Sequence, residues 1–387
     1  MIFTVGHYLA ERLTQIGLKH HFAVTGDCNL VLLDQLLAHG GMKQIYSCNE
    51  LTCSLSAEGY ARVNGAAAAV ITFGADAISA LNGIRAAYAE NLPVILISGT
   101  PNTRDPRSDL TPLRQIGMVR HITVAAEIIT SAETAPAQID HVIRTALREK
   151  KPAYLEIACH IADQPCVRPS PVSSLCFHPA PDLESLNEAV DESLCFLKKR
   201  NRIVILVGSK LPAVEALENT IELADSLGCS ITVVSAGKSL FPAEHPAFQS
   251  IYWDEISNPG TEKIIHEADG IITLAPVWND YSSVGWQNLI HGENVLEINP
   301  DRVTVNNRTF NGFCLKDFVR EITHRSQGRP ASSKEDYQPW FFPLTTPMTN
   351  DETTRQSNIR RRSFPRETQA EDEMSWQPQP LMATTSS

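Results

Sequence analysis

Short apolar runs alternate with amphipathic segments through the first part of the chain. Apolar positions between Thr4 and Ile16 recur three or four residues apart, which predicts a helix. Further elements then alternate along the sequence. The predicted strands are 21–24, 45–48, 66–73 and 94–98, and the predicted helices are 30–38, 51–63 and 76–90. We expect the side chain of Asn29 to cap the second helix.

A second series of apolar runs follows a stretch rich in Pro and Ser. Its predicted strands are 203–211, 230–238, 270–276 and 295–300. Fully apolar strands that alternate with helices favour parallel sheets covered on both faces. The sequence therefore predicts an α/β protein with two doubly wound, parallel-sheet domains, at 1–164 and 183–325, joined by a linker at 165–182.

The remaining residues, 326–387, have a different composition. Ser, Thr, Pro, Gln and charged residues prevail there, and the apolar periodicity is lost. This composition predicts a low-complexity, disordered tail.

Functional residues of a doubly wound sheet lie at the carboxyl ends of its strands. In the first domain this rule selects four loops. They are Thr25 to Cys28, Asn49-Glu50, Phe73 to Asp76, and the segment from Gly99 onward.

Charge and composition narrow the classes of partner. The net charge is −11, with Lys and Arg scattered, so no basic surface is available for nucleic acid or an anionic membrane. The N-terminal sequence becomes polar too early for a signal peptide, and no apolar run is long enough to span a bilayer. The nine cysteines form no CxxC pair and are interpreted as reduced thiols. These features predict a cytoplasmic protein that does not bind membranes.

Several long segments resemble one enzyme family. KHHFAVTGDCNLVLLDQLL at 19–37, CNELTCSLSAEGYAR at 48–62 and AAYAENLPVILISGTPN at 86–102 resemble the N-terminal domain of the thiamine-diphosphate-dependent 2-oxo-acid decarboxylases, of which pyruvate decarboxylase is the most similar member. The segments 139–159, 206–211, 238–246 and 274–286 continue the resemblance in the same order. It extends from about residue 4 to 323.

The resemblance implies roles for four residues. Glu50 lies where the family has the glutamate that acts on the aminopyrimidine ring, sharing a proton with a ring nitrogen so that the cofactor can be activated. Asp27 matches the aspartate on the substrate side. Thr25 and Ala75 lie in segments that face the cofactor, although the family usually has Pro or Ala in place of Thr25, and a small apolar residue and then Gly where Ala75 and Asp76 stand. Without the resemblance, a Glu in a first helical turn is usually a capping residue.

The first departure from the family is a histidine pair. The family has two adjacent histidines in the loop after Asn102, whereas Arg114 and Gln115 stand there in this chain. Neither side chain can shuttle a proton near neutral pH. We interpret His121 and the His20-His21 pair as structural.

The second departure concerns the metal. The family's third domain has a Gly-Asp-Gly sequence followed by an Asn-containing segment, which together bind Mg²⁺ and through it the diphosphate. No such sequence occurs in the 387 residues, and no metal ligand is assigned. The resemblance thus implies thiamine diphosphate and Mg²⁺ as cofactors, but we expect this chain alone to bind them weakly.

Three interpretations stay open at this point. The chain is a truncated decarboxylase of pyruvate or a similar 2-oxo acid, inactive alone and assembled as a homo-oligomer or with a full-length decarboxylase. Alternatively, it is a non-catalytic regulatory subunit that binds such an enzyme, or the product of an incorrectly assembled gene. Whether it is an enzyme therefore stays open, as does the choice of 2-oxo acid. Apolar surface that a third domain would cover predicts self-association.

Overall fold

The computed structural model describes residues 2–102, 115–175, 181–258, 260–286, 290 and 292–327. These residues form two sheets, each in its own α/β unit. Arg114 and the tail at 328–387 lie outside the described residues, so the expectation of a disordered tail stays a prediction. No helix among the described residues has both the length and the apolar character needed to cross a bilayer.

The described residues of the first unit form six strands and six helices in alternation. The elements are α1 (Val5–Gln15), β1 (His20–Ala23), α2 (Leu30–His39), β2 (Lys43–Tyr46), α3 (Glu50–Asn64), β3 (Ala67–Ile71), α4 (Ala77–Glu90), β4 (Val94–Thr100), α5 (Gln115–Val119), β5 (Ala126–Ile129), α6 (Ala135–Glu149) and β6 (Ala153–Ala158). The strand order is β2-β1-β3-β4-β6-β5, and all pairs are parallel. The parallel sheet predicted for this unit is confirmed.

Burial on both faces explains the apolar strands of this sheet. Every residue of β3, β4 and β6 is buried. Alternate residues of these strands contribute to two separate cores, one with residues of α1, α2 and α6 and the other with residues of α3 and α4. A parallel sheet needs such cover on both faces, since its crossover helices pack there.

In the second unit, the part that the structure describes contains seven strands. Its elements are α7 (Leu183–Lys198), β7 (Ile203–Val207), α8 (Leu217–Leu227), β8 (Ser230–Val234), β9 (Phe248–Tyr252), α9 (Thr261–Glu267), β10 (Gly270–Leu274), β11 (Val295–Ile298), β12 (Arg302–Val305), β13 (Arg308–Asn311) and α10 (Leu315–Ser326). The strand order is β13-β12-β11-β10-β7-β8-β9.

The second sheet departs from the prediction at one edge. Strands β9, β8, β7, β10 and β11 are parallel, as expected, but β12 and β13 are antiparallel. Val303, Val305 and Phe310 of this hairpin are buried in the core. An antiparallel edge needs cover on one face only, so its strands alternate instead of forming the continuous apolar run that predicted the others.

The first part of the predicted linker packs against the first unit. Thr4 pairs with Pro165, and the Cys166 amide donates to the Phe3 carbonyl oxygen at 2.8 Å. Leu175 is fully buried in the core beside α6. Residues 165–175 are thus part of the first unit's structure, and the domain boundaries drawn from the sequence stay a prediction.

Candidate functional site

The loops selected from the sequence meet at one edge of the first sheet. Strands β2, β1 and β3 are neighbours and run parallel, so the segments that follow them lie at the same end. These segments contain Glu50, the turn from Thr25 to Cys28, and the segment from Thr72 to Asp76. The topology therefore brings the predicted site residues to one edge of the sheet.

Asn29 holds the turn after β1 in place. Its side-chain oxygen accepts a hydrogen bond from the Gly26 amide at 2.9 Å, and its side-chain nitrogen donates to the Val24 carbonyl oxygen at 2.8 Å. Asn29 occupies the N-cap position of α2, as predicted, but its side chain makes no capping bond to the helix, so that part of the expectation is wrong. The amide group is used across the turn instead, which fixes the backbone that carries Asp27.

Glu50 is the first residue of α3 and is only 6% exposed. The helix is capped by Asn49, whose side-chain oxygen accepts from the Thr52 amide at 2.8 Å. Glu50 therefore does not serve as the cap, in contrast to the ordinary interpretation of an acidic residue in a first turn. The positive end of the α3 dipole favours a carboxylate at this position.

Thr72 connects Glu50 to the turn after β1. Its hydroxyl donates to Glu50 Oε1 at 2.9 Å. A Cβ atom added to Gly26 would lie 2.1 Å from Cγ2 of Thr72, so the turn and the Thr72 methyl group are in close contact. Thr72 thus contacts both the turn that carries Asp27 and the Glu50 carboxylate.

This contact predicts the effect of Gly26→Ala. The added methyl group has no room beside Thr72, so we expect a loss of about 1–3 kcal/mol in the free energy of unfolding from overpacking. The matched control is Gly59→Ala within α3, where nothing lies within 4 Å of the added atom. That variant should gain about 0.5–1 kcal/mol from helix propensity. Urea unfolding measures the free energy of unfolding of both variants. Equal changes in the two would contradict the close contact between Gly26 and Thr72.

The other three predicted residues are more open. Asp27, Thr25 and Ala75 are all exposed at the surface of their loops. Among the described hydrogen bonds and ion pairs, none joins these residues to Glu50. They share the sheet edge with Glu50, and their assigned roles stay predictions.

The structure places His20 and His21 in packed positions on β1, whereas the structural role predicted for His121 stays a prediction. His21 is fully buried, and its Nε2 lies 2.8 Å from Oε1 of Gln44 on the neighbouring strand. Burial lowers the pKa of His21, which keeps the ring neutral. His20 packs edge-on against Tyr60 at 5.7 Å between ring centroids. His121 is exposed just after α5.

Gln115 has an unusual environment for an amide. It begins α5 and is 2% exposed, yet neither of its side-chain polar atoms has a hydrogen-bond partner among the described residues. A buried amide without partners costs about 1–3 kcal/mol, so such a group is available to a ligand or a water molecule. Arg114, its neighbour in the sequence prediction, lies outside the described residues.

Three polar residues in the strand segments of the first sheet were not singled out from the sequence. Thr72, Ser98 and Glu156 lie in or directly after strands that otherwise read as continuous apolar runs. A polar residue inside such a run was the available signal, because a buried polar group needs a hydrogen-bond partner. The sequence cannot identify that partner, since the residues lie on separate strands.

The described residues fit one side of the implied cofactor. Thr72 fixes one oxygen of the Glu50 carboxylate, while no described residue donates to the other oxygen. A buried carboxyl with one free oxygen suits a proton shared with a ring nitrogen of an aminopyrimidine. No group of three His, Cys, Asp or Glu side chains arranged to hold a metal ion occurs among the described residues. The site fits the aminopyrimidine side, and nothing described fits the metal and diphosphate side.

Two family models match the chain in the order of its two units. The N-terminal TPP binding domain of thiamine pyrophosphate enzymes matches residues 3–118, and the central domain of the same enzymes matches residues 190–321. The chain belongs to the thiamine pyrophosphate enzyme family.

Within this family the chain is similar to pyruvate decarboxylases. A probable pyruvate decarboxylase of Schizosaccharomyces pombe is 42% identical over 356 residues, which cover 90% of this chain and 62% of that protein. A pyruvate decarboxylase of Neurospora crassa is 40% identical over 83% of this chain and 58% of its own length. A third, from Arabidopsis thaliana, is 38% identical over 89% of this chain and 59% of its own length. The chain thus spans about three fifths of these relatives.

A solved structure supports the fold. An enzyme from Mycobacterium smegmatis, assigned to the thiamin diphosphate-dependent enzymes, matches with a TM-score of 0.67 at 19% identity. The match covers 88% of this chain and 64% of that structure. At this level of identity the likeness concerns the fold alone.

Proposed function

We propose that this chain takes part in the non-oxidative decarboxylation of pyruvate or a similar 2-oxo acid to an aldehyde, in the cytoplasm. The observation that carries the proposal is the state of Glu50. It is a buried carboxyl with one oxygen held by Thr72 and the other accepting from no described residue, at the position that the family resemblance assigns to the aminopyrimidine. Thiamine diphosphate, when bound, would supply the carbon nucleophile of the reaction.

Each predicted residue has a part in this proposal. Glu50 holds the proton that is shared with the aminopyrimidine ring, and Thr72 keeps its carboxylate oriented. Thr25 and Ala75 line the loops beside it, and Asp27 faces the substrate from the turn that Asn29 fixes. The exposure of Asp27 suits a group that exchanges protons with a substrate.

The Mg²⁺ and diphosphate side of the site is proposed to come from a second polypeptide, a full-length decarboxylase. Large apolar side chains near Glu50 are open to a partner: Leu51 is 37% exposed, Leu55 44% and Ile78 47%. Apolar groups on adjacent helices favour association with another protein surface, whether in a homo-oligomer or a hetero-oligomer.

Complementation tests this proposal. The partner is a full-length 2-oxo-acid decarboxylase in which its own aminopyrimidine glutamate is replaced by glutamine, so that it turns over slowly. Adding the chain, with thiamine diphosphate and Mg²⁺, should give a complex on size-exclusion chromatography and restore aldehyde production from pyruvate. Failure to form a complex contradicts the proposed partner.

A regulatory role is the second candidate. Arg114 and Gln115 replace the histidine pair of the family, and the buried Gln115 amide cannot exchange protons. The same experiment separates the two roles. A complex that forms without restoring turnover, while changing the rate of an unmodified decarboxylase, would favour regulation over catalysis.

A further inference from the structure

The side chain of His7 completes the cap at the start of α1. The Thr4 hydroxyl accepts a hydrogen bond from the His7 amide at 3.2 Å, and His7 Nδ1 accepts one from the Thr4 amide at 3.3 Å. The Thr4 hydroxyl donates to Gln35 Oε1 at 2.7 Å. This is the reciprocal arrangement of a capping box, in which a Glu or Gln usually stands where this chain has His7. The cap therefore contains a group that titrates near neutral pH.

The closed cap suits a neutral His7 ring. His7 is 6% exposed, and its Nε2 has no hydrogen-bond partner among the described residues. A charged ring has an N–H group on both nitrogens and needs two acceptors. Its Nδ1–H group can donate to the Thr4 hydroxyl oxygen, 3.0 Å away, but the Thr4 amide then loses Nδ1 as its acceptor. Protonation thus adds an unpaired buried donor, whichever nitrogen carries the proton of the neutral ring.

The charged groups around His7 do not compensate a positive ring. The His39 ring on α2 lies 6.3 Å away between centroids, and its Nε2 lies 2.8 Å from Glu11 Oε2. The carboxylate on this side is thus paired with His39. On the other side, Phe3 packs against His7 at 5.6 Å between centroids, and the Arg168 guanidinium lies 5.0 Å over the Phe3 ring. His7 is therefore placed between two groups of positive or potentially positive charge.

The residues beside this cap hold the segment that follows β6. Three backbone hydrogen bonds join residues 3–6 to residues 162–166. They run from the Val5 amide to the Gln164 carbonyl oxygen at 3.0 Å, from the Gly6 amide to that of Ala162 at 2.8 Å, and from the Cys166 amide to that of Phe3 at 2.8 Å. Since Thr4 and His7 fix the backbone of residues 3–6, these bonds depend on a closed cap.

We propose that His7 makes the attachment of residues 162–168 to the start of α1 sensitive to acid: protonation of the ring opens the cap, and residues 3–6 separate from residues 162–166. The segment concerned leads from the first unit towards the second. None of these residues belongs to the candidate site, so the inference does not depend on the proposed function.

The direction of the pH dependence follows from the two states of the cap. In the closed state, burial lowers the pKa of His7, His39 lowers it further, and the Ile2 carbonyl oxygen acts in the opposite direction. In the open state the ring is hydrated and has its ordinary pKa of 6.5. The closed state therefore has its full stability above pH 6.5 and loses stability as the pH falls from there through the lowered pKa. Opening should increase by up to about tenfold per pH unit in that window.

Hydrogen–deuterium exchange of the full chain, measured by mass spectrometry, tests the proposal. Peptides that cover residues 2–9 and 160–169 are compared from about pH 5 to 7.5, a range that brackets the ordinary histidine pKa, after correction for the intrinsic exchange rate. We expect the protection of both peptides to fall together below pH 6.5, by up to about tenfold per pH unit. Peptides of α8 in the second unit should keep their protection.

His7→Gln is the deciding variant, because glutamine is an ordinary member of a capping box and does not titrate. Protection of both peptides should then be independent of pH. Exchange in β1, where burial also lowers the pKa of His21, should be the same as in the original chain. The matched control is His121→Gln, which replaces an exposed histidine and should preserve the pH dependence.

Two results overturn the proposal: protection in the original chain that does not change with pH, or an equal change in His7→Gln. If that variant fails to fold, the ring-nitrogen NMR signals of the original chain decide. A His7 ring that stays neutral at the pH where protection is lost excludes it as the cause. Neither measurement involves cofactor, partner or aldehyde production, so either failure leaves the proposed function intact.

Discussion

Glu50→Gln is expected to lower the turnover that this chain supports in the complementation assay by about 10²–10⁴-fold, the range for loss of a general acid–base group. Glutamine keeps the size of the side chain, and its amide oxygen can still accept from Thr72. It cannot hold the exchangeable proton, so the loss concerns the reaction step and not the fold. Such a factor corresponds to about 3–5 kcal/mol of activation free energy.

The assay measures aldehyde formed per complex, with the complex quantified by size-exclusion chromatography. Glu90→Gln is the control, because Glu90 ends α4, is 48% exposed and contacts only Arg62 among the described ion pairs, at 3.7 Å. It should leave turnover unchanged. Equal turnover by Glu50→Gln and the unmodified chain would remove Glu50 from the chemistry.

Asp140→Ala is expected to have the largest effect on stability, a loss of about 3 kcal/mol or more in the free energy of unfolding of the first unit. Asp140 accepts from Arg12 through both oxygens, at 2.7 and 2.8 Å, and from the Tyr8 hydroxyl at 3.0 Å. Arg12 is 1% exposed, so the substitution leaves a buried guanidinium without its counter-charge. Removal of one partner from a buried ion pair is costly because the other charge stays desolvated.

Urea unfolding with hydrogen exchange resolved to α1 and α6 measures this loss in the first unit separately from the second. Glu149→Ala is the comparison. Glu149 pairs with Arg148 at 2.8 Å at the end of α6, where both side chains are 47% exposed. Exposed pairs contribute less than about 1 kcal/mol, so this variant should unfold nearly as the original chain does. A similarly small change in the free energy of unfolding of both variants would contradict the expectation that burial makes the loss of Asp140 costly.

The sequence predicts the parallel strands well because strands that are buried on both faces consist of continuous apolar residues. Continuous apolar runs at β3, β7 and β10 have no other common explanation in a chain of alternating elements. The antiparallel hairpin of β12 and β13 was not foreseen, because it has only one covered face and contains polar residues at alternate positions.

The location of the candidate site could be predicted from the sequence, but its hydrogen bonds could be predicted only in part. Topology brings Glu50 and the turn with Asp27 to one edge, which is the rule for parallel sheets. The use of Asn29 across its own turn, and not as a cap, depends on where the Val24 and Gly26 backbone groups point. The link from Thr72 to Glu50 joins residues 22 positions apart, and no local pattern encodes such a contact.

The packing of residues 165–175 determines where the first unit could be cut as an autonomous fragment. A fragment that stopped at 164 would lose the Leu175 side chain from its core, which removes about 1.5–3 kcal/mol of apolar burial. It would also lose the Ser170 carbonyl oxygen that accepts from Arg12 Nη1 at 2.5 Å, and the Leu175 carbonyl oxygen that accepts from Arg144. Truncation after residue 175 keeps these contacts. Residues 165–175 therefore stabilise the fold of the first unit, although they follow its last strand.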